Sequence, residues 1–170
     1  MYVPLTWDNF MLRIILLQII GLQTTYGQSL TGQVFYIAER YLQDKCTVIS
    51  QGDCDTSDLF FLTDNKFCLV IRCIYNDTYY SGTYLIKDGK LILTFKQALV
   101  NEIVDDQTYK VDNKIMKTKI EPSEYKISSC GQKMRLVHSI GENGFRRPQI
   151  EEKEMIKKLK EKSAWKLLQD

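Results

Sequence analysis

The sequence predicts an all-β domain: an antiparallel up-and-down meander of about seven to eight strands, a barrel or half-barrel, followed by a C-terminal α-helix. Two observations predict it. Turn signals recur about every twelve residues between residues 57 and 140, and the segments between them have the residue pattern of β-strands. Ten tyrosines among 170 residues also favour β structure, since tyrosine fits a pleated, half-buried surface.

Three turn signals carry the regular spacing. They are Asp64-Asn65-Lys66, Asp88-Gly89-Lys90 and Asp112-Asn113-Lys114, which stand 24 residues apart. Asp, Asn and Gly tolerate the positive φ angles of tight hairpin turns. Further polar turn segments fall between them, at residues 76–77, 101–107 and 121–123. We therefore expect the chain to reverse direction at each of these positions.

The segments between the turns are the predicted strands. They span residues 59–62, 66–75, 79–86, 90–95, 115–120, 125–130 and 133–140. Residues 66–75 are almost continuously apolar, which is typical of a strand buried on both faces. In residues 115–120 the apolar Met116 and Ile120 alternate with lysines, which indicates one wet face. Residues 31–43 fit either the first strand or a short helix with Val34, Ile37, Ala38 and Tyr41 on one face.

The N-terminus predicts export. Residues 12–22 form an apolar run of eleven positions, which suits a secretory signal peptide and is too short to span a bilayer. Residues 1–27 are the predicted signal peptide, with Met11 as an alternative start and cleavage after Gly27. An uncleaved anchor or a buried helix is the alternative. The remaining domains are a β-meander at 28–145 and a basic helical arm at 146–170, in a secreted or periplasmic protein without stable membrane insertion after cleavage.

The five cysteines suit an oxidising compartment, where disulfides persist. They are Cys46, Cys54, Cys68, Cys73 and Cys130, and the odd number allows at most two bridges and one free thiol. A local bridge between Cys46 and Cys54 is expected to close the turn-rich segment between them. Cys68 and Cys73 point to opposite faces of one extended strand, so they are poor partners. Cys68 and Cys73 are then the two candidate partners of Cys130.

The sequence gives little sign of catalysis, metal or cofactor binding. No Cys-x-x-Cys pair is present, and the single histidine, His138, lies far along the chain from the first four cysteines. On a strand, His138 shares a face with Met134 and Leu136, which favours a core imidazole over a catalytic base. A formal charge of +2 excludes a nucleic-acid binder that works through bulk electrostatics. We expect no enzyme, no metal and no cofactor.

The C-terminal arm, residues 146–170, holds eight basic and five acidic residues. Pro148 suits the first turn of a helix, and the glutamates precede the lysines, an order that the helix dipole favours. The predicted helix spans residues 148–168. Its irregular apolar stripe predicts a helix that rests on the outside or the end of the barrel and presents Trp165 to a partner. Binding of the lysines to a membrane surface is the alternative.

The segment YSGTYLIKDGKLIL at residues 80–93 resembles a pattern in small exported bacterial lipocalin-like domains, in which a Gly-Thr-Tyr strand, a short turn and an aliphatic strand follow one another. The resemblance covers residues 57–140, and Val34 stands where a lipocalin has tryptophan. It implies a non-catalytic exported module whose barrel holds a small hydrophobic ligand. The candidate interior residues on the predicted strands are Phe67, Leu69, Ile71, Tyr84, Leu93 and Met116. The alternative is an extracytoplasmic interaction or inhibitor module with a filled core, acting on a protein partner through loops or the C-terminal helix.

Overall fold

A computed structural model describes residues 29–73, 77–105 and 110–168, and only their backbone at residues 100–105, 110–113 and 167. It contains eleven β-strands and two helices in the described ranges. The strands are β1 Val34–Ala38, β2 Tyr41–Leu42, β3 Thr47–Val48, β4 Thr56–Phe61, β5 Lys66–Arg72, β6 Thr78–Lys87, β7 Lys90–Asp105, β8 Lys110–Lys117, β9 Ser123–Cys130, β10 Lys133–His138 and β11 Asn143–Arg146. The helices are α1 Gln149–Glu161 and α2 Ser163–Leu167.

Eight of the strands close into an antiparallel barrel. Around the ring they run β1, β4, β5, β6, β7, β9, β10 and β11, and β11 pairs with β1 again. The extra strand β8 pairs with the far half of the 16-residue strand β7. The predicted barrel meander with a C-terminal helix is thus confirmed, with one strand outside the ring.

Alternation of side chains across the wall separates the interior from the outside. On β1, Phe35 and Ile37 join the interior cluster, while Val34 and Ala38 belong to clusters on the outer face. This period-2 alternation is that of a β-strand, and residues 31–43 contain the strands β1 and β2. The helix that the sequence also allowed does not form there.

The C-terminal helices pack against the outside of the barrel, as the irregular stripe predicted. Leu159, Trp165 and Leu168 are buried against outward side chains of β1, β4 and β5. Trp165 is only 7% exposed, so most of its ring is buried against the barrel. The single helix predicted at residues 148–168 is wrong, because Lys162 has an extended backbone and separates α1 from α2.

A buried carboxylate fixes α1 to the barrel. Glu152 is 2% exposed, and its Oε1 accepts hydrogen bonds from the backbone N–H of Val34 at 3.1 Å and from Arg146 Nε at 2.9 Å. Oε2 accepts a further bond from Arg146 Nη2 at 3.0 Å. This charge-assisted pair satisfies the buried acid, which in turn satisfies the backbone N–H at the first residue of β1.

Two disulfides join segments that are remote in sequence. Cys46 is bonded to Cys130, which ties the β2–β3 hairpin to the end of β9, and Cys54 is bonded to Cys73. The expected Cys46–Cys54 bridge is therefore wrong, and so is the assignment of Cys68 or Cys73 to Cys130. The hairpin folds back over the outer wall at Phe145, which carries Cys46 away from Cys54 and onto Cys130. Cys68 is the buried free thiol.

The turn predictions are correct at two of the three regular positions. Asp64 and Asn65 have φ angles of 58° and 53°, and Asp88 and Gly89 have 53° and 73°, as hairpin turns require. The predicted turn at Asp112-Asn113 is wrong, because these residues lie inside β8. β8 pairs antiparallel with β7 up to Asp105, which lies opposite Lys110. The strand predicted at 115–120 accordingly ends at Lys117.

The predicted signal peptide at 1–27 lies outside the described residues, as does Asn76 of a predicted turn. Within the described ranges, no helix has the length and apolar content needed to cross a membrane.

Candidate functional site

The two ends of the barrel differ. The closed end is the one near Leu30 and the β4–β5 and β6–β7 turns. There Leu30 is fully buried, and the Tyr84 ring stands edge-on to Phe61 at a centroid distance of 4.9 Å. The hydroxyls of Thr31 and Tyr84 are 3.4 Å apart, within hydrogen-bond reach. Side chains therefore fill this end of the barrel.

Aromatic packing also fills the middle of the barrel. Phe67 stands edge-on to Phe95 at 5.2 Å, and Phe95 in turn to Tyr80 at 5.9 Å. Leu91 and Leu93 are fully buried in the same cluster. A deep calyx of the lipocalin kind is replaced here by interlocking rings.

The opposite end is the open end, and it contains a cavity of about 500 Å³. Its floor is a row of inward-facing residues on adjacent strands, where Ile37 pairs with Ser57 and Ser57 pairs with Ile71. Gly144 continues the row opposite Ile37, and a Cβ atom there would lie 3.0 Å from the Ile37 side chain. A larger residue at Gly144 would therefore crowd Ile37. Two isoleucines and a serine give the cavity an apolar floor with one hydroxyl.

The rim of the cavity is a loop held in one shape by its own hydrogen bonds. Asp55 accepts bonds from the backbone N–H groups of Gln51 and Gly52, at 2.5 and 2.8 Å, and from the Ser50 hydroxyl at 3.0 Å. The bond from Gln51, followed by those from Gly52 and Ser50, lowers the pKa of the Asp55 carboxyl in spite of some desolvation.

Two cross-links anchor this rim to the barrel. The Arg40 guanidinium donates to the Gln51 side chain, and the Cys54–Cys73 disulfide ties the loop to the chain that follows β5. A rim that is already ordered loses little conformational entropy when a ligand binds.

Glu142 lines the cavity from the β10–β11 loop, and two aromatic residues lie behind it. The Tyr125 hydroxyl donates to Glu142 Oε2 at 3.3 Å, and the His138 ring stands edge-on to Tyr125 at 4.7 Å. Burial, with the nearby Glu142 carboxylate, raises the pKa of Tyr125 well above its usual range. The hydroxyl therefore stays protonated and serves as a hydrogen-bond donor.

The sequence-predicted interior residues fall into three groups. Phe67, Tyr84 and Leu93 are buried, with Leu69 packed against them, in the filled part of the barrel. Ile71 lines the open-end cavity. Met116 lies on β8 outside the ring and is 42% exposed.

Several cavity residues were not found from the sequence. Ser57, Arg40 and Glu142 belong to loops and strand ends without a recognisable motif, and their meeting depends on strand register. The sequence signal nearest to them is the turn-rich segment around Cys54.

Among the described residues, one close group of potential metal ligands exists, Asp53 with Cys54 and Cys73, and its two cysteines are joined in a disulfide. Four cysteines are in disulfides, and Cys68 faces outward beneath the C-terminal helices, while His138 is on an inward-facing position of β10. Burial raises the pKa of Cys68 to about 12, so this thiol stays protonated at neutral pH. Its location separates it from the imidazole, and the two do not form a nucleophile–base pair.

The fold is similar to that of a streptavidin-like protein from Bacteroides eggerthii DSM 20697, with a TM-score of 0.55 over 81% of this chain and 92% of that chain. The two sequences are 9% identical, so the likeness establishes the fold alone. The lipocalin-like resemblance is thereby supported at the level of an eight-stranded barrel and not of the lipocalin family in particular. No protein-family model matches the sequence, and no curated protein matches it.

Proposed function

We propose that this chain is a non-catalytic, extracytoplasmic binding protein that holds a small molecule in the open-end cavity of its barrel. One observation carries the proposal: a cavity of about 500 Å³ opens at one end, while aromatic rings fill the barrel below it. That volume lies within the ordinary range of small-ligand pockets, about 300 to 1,000 Å³.

The chemistry of the lining favours an amphipathic ligand. An apolar part of the ligand packs on Ile37 and Ile71, and a polar part meets the rim. Of the charged lining residues, four are acidic and one is basic: Glu39, Asp53, Asp55, Glu142 and Arg40. A cationic or neutral polar group is therefore favoured over an anionic one, because like charges repel. The ligand is hydrophobic only in the part that reaches the floor.

Export is supported by the two disulfides and by the apolar run at 12–22. Disulfides persist in oxidising compartments and are rare in reducing ones. The ordered rim, and the separation of Cys68 from His138 in the described part of the chain, support capture of a ligand without chemical conversion.

Native mass spectrometry of gently purified protein tests the proposal. We expect bound small molecules on the wild-type chain and their loss in Ser57→Phe, because a phenyl ring at the centre of the floor occupies the cavity. Thr63→Phe is the matched control, since it adds the same ring at an exposed turn of the closed end.

Circular dichroism confirms that both variants keep the β-sheet spectrum. A wild-type chain that carries no small molecule even after incubation with an amphipathic amine such as hexylamine would contradict the proposal. So would retention of the ligand by folded Ser57→Phe.

A further inference from the structure

A second cavity of about 470 Å³ lies on the outer wall of the barrel, beside α2. Three lysines line it, one from each of three strands: Lys66 on β5, Lys96 on β7 and Lys117 on β8. Trp165 and Leu168 form its apolar boundary. We call this cavity the lysine groove. It is separated from the open-end cavity by the wall and shares no lining residue with it.

Three lysines give the lysine groove a positive charge. The lining contains no Asp or Glu, and among the described residues none places a carboxylate within 4.0 Å of Lys66, Lys96 or Lys117. Lys158 and Lys162, by contrast, are paired with acids at 2.7 and 3.3 Å. Three clustered, unpaired ammonium groups attract an anion.

A β-bulge places Lys96 in the groove. Ser81 pairs with Gln97 and Gly82 pairs with Phe95, so Lys96 is the extra residue on β7. Bulges bend a strand and redirect a side chain. The bend brings Thr94 so close to Gly82 that a Cβ atom at position 82 would lie 2.0 Å from the Thr94 carbonyl oxygen. Glycine is thus required opposite the bulge.

The same bulge positions the end of β8. The backbone N–H of Thr118 donates to the carbonyl of Lys96 at 3.2 Å, which places the neighbouring Lys117 beside the groove. Hydroxyls of Thr83 and Thr118 lie among the lining residues and can donate hydrogen bonds, whereas the Ser81 hydroxyl donates to Gln97 Oε1 at 3.4 Å. Ammonium and hydroxyl donors together suit a ligand with several acceptor oxygens.

We propose that the lysine groove binds a small organic phosphate ester, with the phosphate among the three lysines and an apolar group against Trp165 and Leu168. A phosphate monoester carries close to two negative charges at neutral pH and three acceptor oxygens, and lysine is a common phosphate binder. The groove volume suits a small molecule. This site is independent of the ligand proposed for the open end.

Phenyl phosphate is the probe, and Trp165 is the reporter. Trp7 and Trp165 are the only tryptophans of the chain, so Trp7→Phe in the full chain leaves Trp165 as the sole indole. We expect saturable quenching of Trp165 by phenyl phosphate, confirmed by calorimetry, and weaker binding of inorganic phosphate, which lacks the apolar group. Affinity falls as salt rises, because screening weakens exposed charge pairs.

Removing two lysines tests the assignment. Lys66→Ala with Lys117→Ala is expected to weaken phenyl phosphate binding about tenfold. Each exposed charge contact contributes a factor of about three, and the two factors multiply. Lys153→Ala with Lys160→Ala removes the same charge from exposed positions of α1 outside the groove and leaves affinity within about twofold. Ser57→Phe, which fills the open-end cavity, leaves phenyl phosphate binding unchanged.

Any of the following results would overturn the proposal. They are absence of phenyl phosphate binding, equal weakening in both double variants, inorganic phosphate binding as tightly as the ester, and loss of binding in Ser57→Phe. Binding only to phosphatidylglycerol vesicles, with none to phenyl phosphate, would also overturn it and would indicate a membrane surface.

Discussion

Removing the two disulfides separately should lower the free energy of unfolding by different amounts. The reason is that each disulfide closes a loop of the chain, and the two loops differ in length. Cys46 and Cys130 are 84 residues apart in sequence, and Cys54 and Cys73 are 19 apart. In the loop-entropy description, such cross-links stabilise by about 4.6 and about 3.2 kcal/mol at 25 °C. The double variants Cys46→Ser/Cys130→Ser and Cys54→Ser/Cys73→Ser should therefore differ in stability by somewhat more than ~1 kcal/mol.

Urea unfolding followed by circular dichroism measures both free energies of unfolding. The wild-type chain fully reduced with dithiothreitol gives the value without either bridge. A cost of about 4.6 kcal/mol is a large part of the 5 to 15 kcal/mol that stabilises a typical domain, so the first variant is expected to be the weaker one. A larger loss from the Cys54/Cys73 variant would refute the reasoning. Peptide mapping without reduction that finds Cys46 joined to Cys54 would refute the pairing itself.

Three further predictions concern the packing of the barrel. Glu152→Gln keeps an acceptor but removes the buried charge facing Arg146, and urea unfolding should show a loss of about 1 to 3 kcal/mol. Gly82→Ala should destabilise by more than about 2 kcal/mol in the same assay, because its Cβ meets the Thr94 carbonyl. For Cys68, burial raises the pKa from 9.0 to about 12, so the folded state retains a proton that the unfolded state loses. Stability should therefore fall as pH rises above 9, approaching about 1.4 kcal/mol per pH unit, and Cys68→Ala should lack this slope between pH 9 and 10.

Two of the turns could be predicted from the sequence because their residue types also determine the backbone conformation there. Asp64-Asn65 and Asp88-Gly89 join strands in tight reversals that need positive φ angles, so residue type and structure agree. Asp112-Asn113 has the same composition but lies in β8, where backbone pairing joins Glu102 to Asp112. This far half of β7 pairs with β8 outside the ring, so it is not required to present an apolar face to the barrel core. The polar residues of β8, which pairs with it, therefore have the composition of a turn.

The disulfides and the candidate site depend on contacts that no local pattern encodes. Cys130 meets Cys46 only because the β2–β3 hairpin folds over the outer wall. Likewise, Ile37, Ser57 and Ile71 form one floor only when the register of three strands is known. The interior positions predicted from alternation face inward where they lie on strands of the ring. Alternation does not tell, however, whether the space inside is filled by aromatic rings or left as a cavity.

Methyl NMR tests the central claim most directly, since it reports where in the barrel a ligand sits. With isoleucine and leucine methyls labelled, hexylamine is titrated into the wild-type chain and into Ser57→Phe. The open-end site predicts saturable shifts of the Ile37 and Ile71 methyls and none at Leu91 and Leu93, with all shifts lost in Ser57→Phe. Shifts at Leu91 and Leu93 with Ile37 and Ile71 unmoved would contradict it and would locate the ligand within the part of the barrel that is filled here.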